Sequence, residues 1–439
     1  MKNTIIEGEI FEGNFSGKNK FTADGKNYHI KGGIEEQRVS AKVRRGNKAK
    51  LLEILERSPW EDGSPCPHLE CGGCTFDAMT YKNEISYKKI LLEKLFFNLP
   101  YEGAFDLVPS SVYENYRNKM EYTFGDEFLG SDLALGLHKK NRFYEIVNTK
   151  YCRICHKDFN IIREETREFF KDVPFFNRRN HSGILRHLAI RRTNFGELLI
   201  NLVTVKDHNL DLKSYVQKIL SLKLEAQVVG IVHTINDSEG DAIIKEGFEV
   251  LYGRDYCIEE ILGLKFKISA FSFFQTNSYS AEILYRMARE MIENLEGKKV
   301  LDLYSGTGTI TQIFGKAAES AFGIEIVEEA VDSARENARL NEITNVNFIA
   351  GDVLKELDNL DFIPDIIILD PPRAGVHPKA LEKIIAFGAD EVLYISCNPE
   401  TLVRDLEVFN FRGYRIEKLK TLDQFPRTKN LEALCLLKK

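Results

Sequence analysis

Apolar and polar positions follow three different rhythms along this chain. From Lys298 to Lys439, short apolar runs (KKVLDLY, AFGIEI, VNFIA, DIIILD, EVLYIS) alternate with stretches of helical period near Thr309–Ala318, Glu328–Asn341, Pro378–Phe387 and Pro399–Phe409. Two further β runs, RIEKLKTL and LEALCLLKK, close the chain. Strands separated by crossover helices predict parallel pairing in a doubly wound sheet, over residues 266–439. Residues 1–58 behave differently. IIEGEIF, KFTADGKNYHI, VSAKVRR and KAKLLEIL alternate with glycine turns, and Asp24-Gly25 signals a hairpin. This predicts a small β-barrel of the oligonucleotide-binding kind, or a β-module that acts only as a lid. Between them, residues 59–265 read as mostly β (MEYTF, LALGLH, RFYEIV, LLINLVTV, VVGIVHTIN), with helices at Tyr81–Asn98, Asp158–Phe170 and Leu212–Leu220. The expected fold is multidomain α/β: an N-terminal barrel, a central mostly-β domain and a C-terminal Rossmann-like domain. The aromatic run KFKISAFSFFQT leads into the last of these through a helix at Ser278–Asn294.

Composition adds bounds. The 439 residues are 43% hydrophobic and 29% charged, as in ordinary globular proteins. The first residues lack the apolar core of a signal peptide, and no apolar run approaches the roughly 20 residues that span a bilayer. A soluble, cytoplasmic protein with no membrane partner is expected, and a monomer. The net charge of −6 gives no overall sign of nucleic acid; its distribution does. Residues 1–60 carry 12 Lys and Arg against eight Asp and Glu. Arg38 to Lys50 forms a basic run, and Arg178, Arg179, Arg186, Arg191 and Arg192 form another with His181 and His187 among them. Each run is either a solvated face or a phosphate-binding surface.

Candidate chemistry lies at the predicted strand ends, where ligands of open α/β sheets sit. KVLDLYSGTGTI places Gly306 and Gly308 after a strand, so that backbone can approach a ligand. Thr311 stands where the dinucleotide fingerprint would repeat glycine, and Asp302, Glu325 and Asp352 end successive strands. A carboxylate at Glu325 can accept both hydroxyls of a ribose. Asp370-Pro371-Pro372-Arg373 closes the fourth strand, and Cys397 the fifth, ahead of Asn398-Pro399 and a helix. Cys397 is placed as a nucleophile would be; a buried structural cysteine is the other reading.

Five segments together carry a resemblance: FSFFQTN (Phe271–Asn277), DLYSGTGT (Asp302–Thr309), DPPRAG (Asp370–Gly375), YISCNPETLVRD (Tyr394–Asp405) and FPRTKNLEAL (Phe425–Leu434). In this order they resemble the RNA uracil-C5 methyltransferases that form 5-methyluridine. The resemblance implies S-adenosylmethionine as methyl donor, Cys397 as nucleophile and Glu432 as base. It gives Gln275, Tyr304, Thr309, Glu325, Asp352 and Asp370 as donor contacts. The residue types suit the chemistry. Uracil C5 is electron-poor until a thiolate adds at C6, and a carboxylate must later remove the C5 proton. The family often carries His before this Glu; here Asn430 and Leu431 precede Glu432. Phe271, Phe273 and Phe274 either stack on an extruded base or belong to the core. An amino-directed methyltransferase would need no thiol, and a non-catalytic RNA-binding protein would need neither Cys397 nor Glu432.

Eight cysteines complete the inventory. Without a secretion signal they should stay reduced, and PWEDGSPCPHLECGGCTF has no periodicity, so a ligand should hold it. Spacing alone allows zinc on Cys71, Cys74, Cys152 and Cys155, or an iron–sulfur cluster on Cys66, Cys71, Cys74 and Cys152. The resemblance implies the second, a 4Fe-4S cluster, because IVNTKYC matches the segment that carries the family's fourth ligand. It also likens residues 1–58 to a TRAM domain. The module and the cluster together imply the ribosomal-RNA branch with 23S rRNA as partner; a tRNA loop is the alternative substrate.

Overall fold

Strict alternation of apolar residues builds the N-terminal element. Ile6, Ile10, Phe21, Ala23, Ile30, Val39, Ala41 and Ala49 form one buried cluster, while the residues between them face outward, as the two-residue period of a strand requires. Full burial of each Ile, Val or Phe contributes about 1.5–3 kcal/mol. Strands Ile5–Glu12, Lys18–Ala23, Lys26–Lys31, Arg38–Val43 and Lys48–Glu56 close into a barrel. Closure comes from the first strand, which pairs antiparallel with both the second and the fourth. Asp24 (φ 50°) and Gly25 (φ 71°) form the predicted hairpin turn, which needs positive φ at both central positions. Part of the first basic run is neutralised by neighbouring strands: Arg38 pairs with Glu56 at 2.9 Å and Glu7 at 3.2 Å.

The computed structural model describes residues 4–68, 70–206 and 209–439; Met1–Asn3 of the predicted N-terminal module lie outside the described residues. The chain forms two compact units, each assembled from separated segments. The first comprises residues 1–66, 73–110 and 369–439, the second residues 67–72 and 111–368. Among the described residues no helix is long and apolar enough to cross a membrane.

In the first unit, helix Tyr81–Phe96 is capped by the Thr80 hydroxyl, which accepts from Asn83 N. Strands Glu391–Ser396, Glu432–Lys438, Arg415–Leu422 and Leu107–Val108 lie side by side in that order. The helix buries a charge network. Lys88 Nζ lies 2.7 Å from Glu84 and 2.6 Å from Asp423, all three side chains fully buried. Tyr81 Oη donates to Asp423 at 2.9 Å, and Glu84 accepts from Arg427 N at 2.7 Å. Stranding one partner of such a buried pair costs about 3–5 kcal/mol. The network therefore locks residues 423–427 onto the helix, and these residues lead directly into strand Glu432–Lys438.

The second unit holds a seven-stranded sheet in the order Gly247–Gly253, Gln227–Ile235, Glu197–Thr204, Leu185–Arg192, Lys119–Asp126, Leu133–Lys139 and Arg142–Val147. Helices Lys157–Phe169 and Leu212–Leu220 contribute Phe159, Ile162, Tyr215 and Ile219 to its core. Strand Leu185–Arg192 corrects the reading of the second basic run as a surface feature for its later part, while Arg179 remains exposed. Arg186, His187 and Arg191 are buried. Arg186 Nη1 donates to Asn236 O at 2.8 Å and Ser238 O at 2.5 Å, Nη2 donates to Gly240 O, and Arg191 donates to Ser272 O at 2.7 Å. A guanidinium has five donors, and backbone carbonyls distant in sequence take three of them at Arg186 and one at Arg191. The same unit carries parallel strands Val346–Ala350, Ser320–Glu325 and Lys299–Leu303, in that order.

Candidate functional site

The glycine loop follows from its strand. Lys299–Leu303 is buried and parallel to Ser320–Glu325. At its end Tyr304 takes φ 67°, rare for a residue with a side chain, and Gly306 (φ 54°) and Gly308 (φ 74°) follow. Tyr304 N and Ser305 N both donate to Ile324 O, at 3.0 and 3.1 Å. Gly306 N donates to Glu325 Oε2 at 3.1 Å, while Glu325 Oε1 accepts from Val327 N at 3.0 Å. The two glycines serve different needs. A Cβ on Gly306 would meet nothing within 4 Å, so only its backbone conformation asks for glycine. A Cβ on Gly308 would come within 2.6 Å of Phe348. Asp302 anchors the helix Thr309–Gly315 by accepting from Thr311 Oγ1 at 2.5 Å, so Thr311 has a role that glycine could not fill. Glu325 and Tyr304 remain half-buried, Thr309 is buried, and Asp352 begins the short helix Val353–Glu356. Gln275 is half-buried, its carbonyl accepting from Asn118 Nδ2 at 3.1 Å. Of the three aromatic residues near it, Phe274 is core and Phe273 is 74% exposed.

In the first unit, sheet register assembles the second group. Strands Glu391–Ser396 and Glu432–Lys438 are antiparallel, ending on the pair Ser396–Ala433. Cys397 follows Ser396 directly and Glu432 precedes Ala433, so this last pair brings the two residues to the same end of the neighbouring strands. Their charges register the closeness. The Cys397 thiol is pushed up to about 11 by its burial and by the carboxylates of Glu432 and Asp370, against a lowering by Arg373. Burial, and then Asp370, hold Glu432 well above the usual carboxylate range. Desolvation raises Asp370 to about 7. Three acids thus share one poorly solvated place, and each resists ionising while the others are charged.

Neighbouring side chains fix these positions. Asn398 caps the helix Pro399–Phe411, its Oδ1 accepting from Glu400 N at 3.2 Å. Its Nδ2 donates to Arg373 O at 3.0 Å, and Arg373 Nη2 donates to Asn430 Oδ1 at 3.0 Å. Arg373 therefore links the residue after Cys397 to one two positions before Glu432, and the unexpected Asn430 has a specific partner. Asp405 accepts from Tyr394 Oη at 2.7 Å and Val376 N at 3.1 Å, tying strand Glu391–Ser396 to the end of the Asp370–Gly375 loop. The barrel also contributes: Ser16 N donates to Glu400 Oε1 and Lys429 Nζ donates to Ser16 O, both at 2.9 Å. Sequence reading missed Ser16, Glu400 and Lys429 as partners, because separations of 384 and 413 residues leave no local signal.

The four cysteines of the predicted cluster, Cys66, Cys71, Cys74 and Cys152, are all partly exposed, whereas Cys155 is buried. Cys155 Sγ lies 3.5 Å from Tyr122 Oη. Cys71 forms an isolated β-bridge with Lys139, and His68 Nε2 accepts from Tyr151 N at 3.3 Å, next to Cys152.

The model of the tRNA (Uracil-5-)-methyltransferase family matches residues 80–439. An uncharacterized RNA methyltransferase of Caldanaerobacter subterraneus subsp. tengcongensis is 46% identical over 451 residues, covering all of this chain and 99% of the relative. One from Clostridium acetobutylicum is 45% identical over 94% of this chain and 93% of its own length. The fold is that of the Pyrococcus abyssi tRNA (uracil-54, C5)-methyltransferase, solved with S-adenosyl-L-homocysteine. The TM-score is 0.78 at 24% identity, covering 98% of this chain and 100% of that one. With its site motifs inside the matched residues and its relatives similar from end to end, the chain belongs to the tRNA (uracil-5-)-methyltransferase family, S-adenosylmethionine-dependent enzymes that act on RNA.

Proposed function

We propose that this enzyme methylates C5 of a uridine in 23S rRNA through a covalent adduct between Cys397 and C6 of the base. The observation that carries the mechanism is the closeness of Cys397 and Glu432, which flank the last pair Ser396–Ala433 of the register, with Glu432 raising the thiol. The Cys397 sulfur bonds to C6, and the electron pair displaced from the C5–C6 double bond makes C5 nucleophilic. S-adenosylmethionine, when bound, supplies the electrophilic methyl group that C5 takes up. Glu432 then accepts the C5 proton, the double bond re-forms, and the C6–S bond breaks to release the thiolate. A carboxylate whose affinity for protons is raised is a stronger base for that step. The crowding of Cys397, Glu432 and Asp370 has a consequence for order. A cationic sulfonium beside them relieves their repulsion, so the thiolate forms most readily once the donor is in place.

For the donor we assign Gln275, Tyr304, Thr309, Glu325, Asp352 and Asp370. The positive φ of Tyr304 and the Glu325–Gly306 hydrogen bond support this, since they preorganise the loop. Glu325 already accepts two backbone N–H groups but keeps lone pairs for ribose hydroxyls.

The ribosomal assignment rests on the resemblance, with the barrel and the partly exposed cysteines in its support. A tRNA loop uridine is the second reading. It is favoured by the solved structure, whose name gives tRNA uracil-54 as its target and whose match extends over the barrel. Mapping 5-methyluridine in 23S rRNA and tRNA, with and without the gene, decides between them. Loss of a 23S site is expected, and loss confined to tRNA overturns the ribosomal reading.

We also assign a 4Fe-4S cluster to Cys66, Cys71, Cys74 and Cys152. Cys152 is preferred to Cys155 because IVNTKYC matches the segment that carries the family's fourth ligand, and Cys155 is buried against Tyr122. Such a cluster would supply a cross-link that holds an otherwise irregular loop. Protein purified without oxygen is expected to be brown and to contain about four irons per chain by metal analysis. Colourless protein with one zinc would reject it.

A further inference from the structure

The edge of the seven-stranded sheet presents a feature that the methyl-transfer chemistry does not use. Arg142–Val147 is the last strand in sheet order, and Phe143 and Tyr144 are 50% and 48% exposed there. Their rings meet edge to face at 5.5 Å. The His138 ring stacks on Phe143 at 4.9 Å with an interplanar angle of 5°. His138 is itself fixed, with Nδ1 2.6 Å from Phe143 O and Nε2 2.9 Å from Asp241 Oδ2. Two guanidinium groups lie over the rings, Arg178 at 5.7 Å from Phe143 and Arg179 at 4.8 Å from Tyr144. Asp241 neutralises Arg178. The exposed Arg179 and the exposed Lys140 have no carboxylate partner among the described residues. The next turn is tied down as well, since Lys140 N donates to Glu70 O at 2.7 Å.

Two half-exposed rings held in fixed orientation, with uncompensated cations beside them, match what unpaired nucleic acid requires: π faces for bases and positive charge for phosphates. We propose that Phe143 and Tyr144, with Arg179 and Lys140, form a docking surface for unpaired bases of the RNA substrate. This rests on the reading of the enzyme as one that acts on RNA.

The test compares full-length protein with the double variant Phe143→Ala/Tyr144→Ala, the conservative pair Phe143→Tyr/Tyr144→Phe, and Arg179→Glu. Fluorescence anisotropy reads binding of single-stranded poly(U) and of duplex poly(A)·poly(U) as salt is varied. The alanine pair is expected to weaken poly(U) binding about tenfold or more and duplex binding little. The conservative pair should bind as the native protein does. Arg179→Glu, an exposed substitution that leaves the core intact, should weaken binding most at low salt and flatten the salt dependence by about one phosphate contact. Equal poly(U) affinity and salt slope in all four proteins would overturn the proposal. So would an unchanged poly(U) affinity accompanied by loss of self-association or of a protein partner. Covalent trapping at saturating RNA, followed in the same proteins, keeps this question separate from the role of Cys397. If the enzyme does not act through a thiol adduct, 5-fluorouridine RNA traps none of these proteins, native included, while the differences in affinity persist.

Discussion

Replacing Cys397 with Ala abolishes methylation, on the order of 10⁴-fold or more in kcat, and abolishes covalent trapping by RNA that carries 5-fluorouridine. The fluorine cannot leave C5 as a proton does, so native protein stalls as a protein–RNA adduct that survives denaturing electrophoresis. A variant without the sulfur has nothing to bond to C6. Binding of RNA should change little, because Cys397 contributes a single small side chain. The raised thiol adds a second signature. With a value of about 11, only about one molecule in 10⁴ carries the thiolate at pH 7. Alkylation of Cys397 in the donor-free enzyme, followed by mass spectrometry, should therefore accelerate about tenfold per pH unit through the neutral range. Retained turnover in Cys397→Ala sinks the thiol mechanism.

Glu432→Gln has the opposite effect on the adduct. The nucleophile still adds and C5 still accepts its methyl group, but no carboxylate remains to take the C5 proton. The protein–RNA adduct should then accumulate with ordinary uridine, while turnover falls on the order of 10²–10⁴-fold. A fully active variant would place the base elsewhere. Stability provides an independent check. The folded-state value of Glu432 lies above its unfolded value, so the folded chain retains that proton as pH rises through the window between them. Stability is lost across that window. Gln carries no such penalty, so the variant should melt at a higher temperature than native protein at pH 8, with the difference closing toward pH 4.

Much of the site is written locally. The strand Glu391–Ser396 and the helix start at Pro399 coincide with their predicted positions, since an apolar β-branched run and an Asn-Pro break need no distant partner. The turn at Asp24-Gly25 and the glycine loop after Leu303 were legible for the same reason. The basic run at Arg186–Arg192 was not. Whether an arginine meets water or carbonyl oxygens depends on loop 236–240, some 50 residues away, and charge in sequence does not record it.

Sequence by itself determined which residues can do the chemistry and on which strand ends they stand, because residue type, period and turn signals act over a few positions. Only the tertiary structure brought Cys397 and Glu432 close enough for the carboxylate to raise the thiol. Their closeness follows from one antiparallel register that ends on Ser396–Ala433, and a slip of one residue would have turned every side chain of the strand to the other face. It also decided that residues 369–439 share a compact unit with the barrel, where Ser16 bonds to Glu400 and Lys429 on either side of the site. Contacts between segments some 400 residues apart are set by how sheets and helices pack, and the order of residues along a chain carries no direct record of that.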